Sequence, residues 1–326
     1  MRRQSWMIVG LAVGLVLGLL PLAEAAAPLK IGFSTWVGYG PLFLARDKGY
    51  LKAEGVEVEF VKVEDPKERF AALAAQRLDG LVSTIDTMIL YLKTGKEYQY
   101  VLALDDSNGG DGIVARKEIG AVKDLKGKKV AFAEGSVSQF FLNVLLREAG
   151  LKQSDIISVN MKAGDAGAAF VAERVDAAVT WEPHLTKGKK TPFGHLLIDS
   201  SKTPGLITDV LILRTDVIQT RGKEIQGIAN GWNKAVAYWK QNPKESNIIM
   251  AKAVGGWLED VKEFEETLTG VKFYDGPANV QFMGTTAKPG SMAKTVQNAI
   301  DIWSSFGSVQ AKGITAKDLI NYNFVK

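Results

Sequence analysis

The stretch LKIGFSTWVGYGPLFLARDKGYL, residues 29–51, decides the fold. Residues 29–33 are a short apolar run of strand length, and they empty into Ser34-Thr35-Trp36-Val37-Gly38-Tyr39-Gly40, a loop punctuated by glycine. Pro41 then opens a helix through Lys48, because the first helical turn tolerates a residue without an N–H. Gly49 stops it. Strand, polar loop and helix make the repeating unit of an α/β fold.

Working outward, the unit recurs. Residues 56–63 alternate apolar and charged side chains, which predicts a second strand. Residues 66–78 read as a helix with Phe70, Leu73, Ala74 and Leu78 on one face. A third strand at 80–82 runs into Ser83-Thr84-Ile85-Asp86-Thr87, and a fourth at 100–104 runs into Asp105-Asp106-Ser107-Asn108-Gly109-Gly110-Asp111. Further strands are expected at 112–116, 129–133, 156–161 and 177–180, with helices at 139–149 and 164–174 between them. After a strand at 207–214 the pattern is helical: 222–240, 243–254, 259–269, 287–306 and 316–322. The alternation predicts parallel sheets with helices on their faces, and ligands of such sheets bind beyond the carboxyl ends of the strands.

The beginning of the chain reads differently. Arg2 and Arg3 precede an apolar run at 7–20, Pro21 ends it, and Ala23-Glu24-Ala25 supplies small residues at a cleavage site. That order is a secretory signal peptide at 1–25. The run is too short for a membrane span of about 20 residues. The chain has no cysteine, which excludes disulfides and a lipid-modified cysteine, so the mature protein is expected free in a periplasm. Net charge is +4, or +3 once Arg2, Arg3 and Glu24 are removed, and the charges are interspersed apart from clusters such as Lys187 to Lys190. A nucleic-acid stripe is absent from such a pattern.

The opening Ile31-Gly32-Phe33 with Trp36 and Pro41-Leu42-Phe43-Leu44-Ala45-Arg46-Asp47-Lys48-Gly49-Tyr50-Leu51 resembles the nitrate/taurine/sulfonate-type substrate-binding proteins of ABC importers. The resemblance continues at Leu78-Asp79-Gly80, Asp124 to Ala131, Arg174 to Pro183 and Asp209-Val210-Leu211, covering roughly residues 29–218. It implies a two-lobe periplasmic-binding-protein (type II) fold, each lobe a sheet flanked by helices, with the ligand in the interlobe cleft. Lobe one is then expected at 28–115 joined by 208–326 and lobe two at 116–207, with crossings near 115–119 and 203–208. The implied partners are a small-molecule ligand and the permease and ATPase of an importer, with the binding protein itself a monomer. Two alternatives stay open: a ligand-binding sensory receptor, and a thiamine-pyrimidine-synthase-like enzyme.

The candidate ligand-binding residues lie at the strand ends. Ser34, Thr35, Trp36 and Tyr39 offer hydroxyls and aromatic faces, against packing within a lobe as the plain alternative. Ser83, Thr84 and Asp86 follow the third strand, where helix capping is the competing role. Asp106, Ser107 and Asn108 follow the fourth. Ser136 and Ser138 stand before a helix whose unpaired N–H groups attract an anionic group. Trp181 and Glu182 set a stacking face beside a carboxylate, and Asp209 lies at the second crossing. Asp86, Asp105, Asp106, Asp111, Glu182 and Asp209 together, with no Arg or Lys among those loop residues before Arg116, predict a cleft that rejects a bare anion. Such a cleft favours a nitrogen-bearing, zwitterionic or heteroaromatic solute through charge-assisted hydrogen bonds. Asp111 also reads as an organiser of the Gly109-Gly110 turn. Catalysis, metal and cofactor are not expected: the histidines are His184 and His195, cysteine is missing, and His195 reads as a surface residue.

Overall fold

The computed structural model describes residues 27–325, so the expected signal peptide lies outside the described residues. Its strands follow in chain order: β1 (Leu29–Phe33), β2 (Val58–Lys62), β3 (Gly80–Thr84), β4 (Tyr98–Ser107), β5 (Asp111–Arg116), β6 (Lys129–Phe132), β7 (Ile157–Asn160), β8 (Ala177–Trp181), β9 (Gly194–Asp199), β10 (Thr208–Arg214) and β11 (Val271–Phe273). They fall into two sheets. The first has the order β11-β4-β10-β3-β1-β2, the second β7-β6-β8-β5-β9. The fold is α/β, with helices on both faces of each sheet.

Two expectations are corrected here. The sheets are mixed, not parallel: β1 runs parallel to β2 and β3, but β10 lies antiparallel between β3 and β4. In the second sheet β5 is the antiparallel member, between β8 and β9. Both are strands that have just crossed from the other sheet, which enter centrally and against the local direction. The first crossing also comes earlier than 115–119. β5 already pairs in the second sheet, so the chain crosses between Ser107 and Asp111, through Gly109 and Gly110. It returns between Asp199 and Thr208.

Local sequence explains the supporting helices. Asp65 accepts hydrogen bonds from the N–H groups of Lys67 and Glu68, and Pro66 takes the first helical position, so Pro66–Ala74 starts sharply. It ends four residues before the expected Leu78, where Gln76 turns at φ +57°. Gly222–Gln241 buries Ile225, Ile228, Ala229, Trp232, Ala235 and Val236 at spacings of one, three and four, one face of an α-helix. Asn242 and Pro243 divide it from the next helix, Pro243–Val254. That face packs with Leu29, Ile31, Phe43 and Leu211 into the core under one side of the first sheet.

The lobes are also packed together. Phe140 and Val144, from the helix Val137–Glu148 above the second sheet, are buried in the first lobe's core beside Trp303. The Phe140 and Trp303 rings lie 5.5 Å apart. Tyr91 Oη of the first lobe donates to the Gly135 carbonyl of the second at 2.9 Å. Gly135 has φ +69°, and a Cβ there would come within 2.8 Å of Tyr91 Oη. The two halves stand closed on each other.

Candidate functional site

A cleft of about 450 Å³, measured out to its solvent-open mouth, lies where the strand ends of both lobes meet. From the first lobe come Ser34, Trp36, Tyr39, Ser83, Thr84 and Asp209; from the second come Ser136 and Trp181. These eight expected residues are brought together because β1, β3, β6, β8 and β10 end or begin on the side that lines the cleft. Trp36 Nε1 donates to Asp105 Oδ1 at 3.1 Å, which leaves its ring face along the wall. A Cβ on Gly110 would lie 2.5 Å from the Trp36 ring, so the crossing strand has room there only for glycine. Tyr39 Oη donates to Asp209 Oδ1 at 2.5 Å. Ser136 caps Val137–Glu148 by accepting from the Ser138 N–H at 3.2 Å. Trp181 Nε1 is buried and has no partner among the described residues.

Seven expected residues stand elsewhere. Thr35 turns to Glu64, giving its N–H at 3.0 Å and its hydroxyl at 2.6 Å. Asp86 is buried beneath the floor, accepting from Thr87 Oγ1 at 3.2 Å, and its Oδ1 has no partner among the described residues. Asp106, Ser107 and Asn108 form no loop after β4, because β4 continues to Ser107 against β10 and β11. Thr208 faces Asp106, Lys272 Nζ donates to Asn108 Oδ1 at 2.9 Å, and Ser107 Oγ meets Ser200 Oγ at 2.8 Å, pinning the two crossings. Ser138 sits buried in the first turn of its helix, with no partner for its hydroxyl among the described residues. Glu182 accepts from the Thr186 N–H and hydroxyl at 2.9 and 2.8 Å, which turns it onto the first turn of His184–Lys189 and away from the cleft lining. His195 is half-buried rather than on the surface, with Nε2 2.9 Å from the Ile119 carbonyl.

The cleft also holds Asp111, one of the carboxylates expected near it, and Glu64, Pro66, Arg69, Thr87 and Val137, which are not among the expected ligand-binding residues. Arg69 changes the electrostatics most. The residue is 3 % exposed, Nη1 donates to the Val63 carbonyl at 2.5 Å, and Nε has no partner among the described residues. The signal was present in the sequence: Arg69 lies four residues before Leu73, on the apolar face of its helix, where an arginine is buried only with a purpose. The expectation of a cleft without a cation is therefore wrong.

The cleft and its floor also hold Asp86, Asp105, Asp111 and Asp209, all buried, and of these Asp209 feels the Arg69 charge. Burial pushes the Asp111 carboxyl up to about 7, with Ser107 opposing. Burial likewise lifts Asp86 to about 7 against hydrogen bonds from Thr84 and Thr87. Asp105 and Asp209 are both raised by burial and then by each other's neighbourhood of carboxylates. Tyr39 is raised by burial and by Asp209. Desolvation disfavours each charged form, and a cation brought among them would favour it. The cleft thus presents acceptors at Asp111 and Asp209, donors at Arg69 and Trp181, and aromatic faces at Trp36 and Trp181. Among the described residues no three His, Asp or Glu side chains group as a metal ion would require, and no helix is long and apolar enough to cross a membrane.

Comparison with known proteins agrees with this architecture. The chain is 25 % identical over 301 residues to a Bacillus subtilis (strain 168) protein that carries the name of an aliphatic sulfonates-binding protein, covering 88 % of this chain and 84 % of that one. An Escherichia coli (strain K12) protein of the same name is 29 % identical over 257 residues, covering 76 % and 79 %. The fold matches the alkanesulfonate-binding protein SsuA from Xanthomonas axonopodis pv. citri bound to MOPS, with a TM-score of 0.73, 20 % identity, and coverage of 92 % and 100 %. The fold is that of the periplasmic binding proteins. The family described as NMT1/THI5 like matches residues 36–246, well over half of the chain, and the chain belongs to it.

Proposed function

We propose that this member of the NMT1/THI5-like family is the solute-binding component of an ABC importer, working as a monomer in the periplasm and handing its solute to a permease and ATPase. The observation that carries the reading is the convergence of strand-end residues from both lobes on one cleft, where Trp181 Nε1 and Arg69 Nε have no partner among the described residues. A buried donor left unpaired costs about 1–3 kcal/mol, so a solute that accepts from it gains by that amount on binding. Only a closed pair of lobes touches the solute from both sides, and binding therefore selects closure.

The solute is a small zwitterion or a heterocycle of equivalent polarity. Its nitrogen-bearing group lies against Asp111 and Asp209, and its acceptor end lies toward Arg69 and Trp181. The buried Arg69 admits an acidic group that the carboxylates alone would reject. An aminoalkanesulfonate meets both requirements, which fits the sulfonate names of the relatives; so do thiamine-precursor-like pyrimidines with their ring nitrogens.

A thermal-shift screen of taurine, alkanesulfonates, nitrate, thiamine pyrimidine precursors, amines and amino acids tests this. A solute at a hundred times its dissociation constant stabilises by about 2.7 kcal/mol. The expected hits carry both a cationic or N–H-rich group and an acceptor group. Stabilisation by nitrate or simple alkanesulfonates alone contradicts the assignment of Asp111 and Asp209.

A further inference from the structure

The cleft opens at its mouth into a second chamber that shares Glu64, Pro66, Ser136 and Trp181 with the inner one and adds Lys162 and Trp257. Trp257 belongs to the first lobe. It follows Gly255 and Gly256, at φ +65° and +63°, so the backbone turns through a left-handed pair that only glycine adopts cheaply. Its ring meets His184 of the second lobe edge-on, with centroids 4.9 Å apart and planes at 67°. Further along the same helix, Lys187 Nζ lies 3.6 Å from Glu263 Oε1, a second contact between the lobes.

Both Trp257 Nε1 and His184 Nε2 are buried without a partner among the described residues. On its own lobe the His184 ring rests on Gly164 and Gly167, where a Cβ would approach it to 3.3 and 3.2 Å. Charged groups facing it are Lys187 on its own helix and Asp165 on Ala163–Val171. From the first lobe Glu263 is taken by Lys187, while Glu182 is turned to Thr186 and Lys189. A proton placed on Nε2 in this setting has no acceptor to receive it. The penalty exists only while Trp257 covers the ring.

We propose that Trp257 and His184 form the gate that seals the cleft mouth between the lobes, and that a proton on His184 opens it. The proposal rests on the closing-cleft reading above. Burial, reinforced by Lys187 and opposed by Asp165, holds His184 down at about 4 in the closed form. With Trp257 withdrawn, the imidazole moves toward its ordinary value of about 6.5. A group depressed in the closed form favours closure fully above the open-form value and loses it as pH falls. The closed-to-open ratio then drops by up to about tenfold between about pH 7.5 and about pH 5.5. Asp111 and Asp86 act in the opposite sense, since their protonation removes repulsion inside the closed cleft.

The chain has two histidines, so the imidazole Cε1–Hε1 NMR signal of His184 is assigned through His195→Gln. His184 is expected to titrate near 4 in the wild-type protein and about one unit or more higher in Trp257→Ala. Energy transfer between dyes on the two lobes is expected to show, on acidification from about pH 7.5 to about pH 5.5, a closed-to-open ratio that falls by up to about tenfold in the wild type relative to His184→Gln, in which the opposing carboxyls remain. An ordinary midpoint in the wild type, an unchanged midpoint in Trp257→Ala, or the same acid response in His184→Gln as in the wild type overturns the gate. If a screened solute still stabilises the protein in any of those cases, the binding reading stands. Lobes that keep one separation with and without every screened solute overturn both.

Discussion

The seam between Tyr91 and Gly135 allows closure to be separated from folding. Tyr91→Phe removes a 2.9 Å hydrogen bond between the lobes and keeps the ring stacked on Phe70, 4.4 Å away. A net hydrogen bond is worth about 1 kcal/mol, so the solute should bind about fivefold more weakly while the ligand-free melting temperature hardly moves. Gly135→Ala acts twice. Its φ of +69° strains any Cβ by about 1 kcal/mol in open and closed forms alike, lowering the melting temperature by about 2–4 °C. The same Cβ comes within 2.8 Å of Tyr91 Oη, but only when the lobes meet, so affinity falls as well. Phenylalanine lacks that oxygen. The double variant should therefore bind no more weakly than Tyr91→Phe alone, a non-additivity that marks a shared contact. Calorimetric titration with the solute found by screening, beside scanning calorimetry of the free proteins, reads both quantities. Full additivity of the two affinity losses, or unchanged affinity in Gly135→Ala, would refute the reasoning.

Trp181→Phe keeps an aromatic face but removes the unpartnered Nε1 donor, and should weaken binding by about 1 kcal/mol, roughly fivefold, by titration calorimetry. Asp111 and Asp86, raised by burial to about 7, hold protons in the folded protein that the unfolded chain has already released, so ligand-free stability is greatest in mild acid and declines as pH rises through 7. Denaturant titrations across that range should show the decline, and a smaller one in Asp111→Asn. Phe140→Ala empties a site buried between the lobes beside Trp303 and should cost about 3–5 kcal/mol in the same titrations; a loss below about 1 kcal/mol would mean that the lobes are not packed there.

Much of this architecture is legible in the sequence because it is local. Alternating strands, proline-opened helices and glycine stops mark β1, the helix after it and Gly222–Gln241 almost to the residue. Ser34, Trp36, Tyr39, Ser83, Thr84, Ser136, Trp181 and Asp209 follow from the rule that ligands sit at strand ends. What was hidden depends on pairing between distant segments. β4 extends to Ser107 because β10 and β11 supply hydrogen bonds from far along the chain, and this withdraws Asp106, Ser107 and Asn108 from the cleft. The crossing at Gly109 and Gly110 reads in sequence as an ordinary hairpin turn. Arg69 reaches the cleft from a helix, a source that a search confined to loops passes over. Glu182 shows the reverse case: its hydrogen bonds to Thr186 are local, and they decide its orientation.

Small-angle X-ray scattering of the free and solute-saturated protein tests the central claim most directly. Contraction of the radius of gyration on saturation is the expected result, with Trp181→Phe requiring more solute to reach the same contraction. Tight binding that leaves the scattering profile unchanged would contradict it.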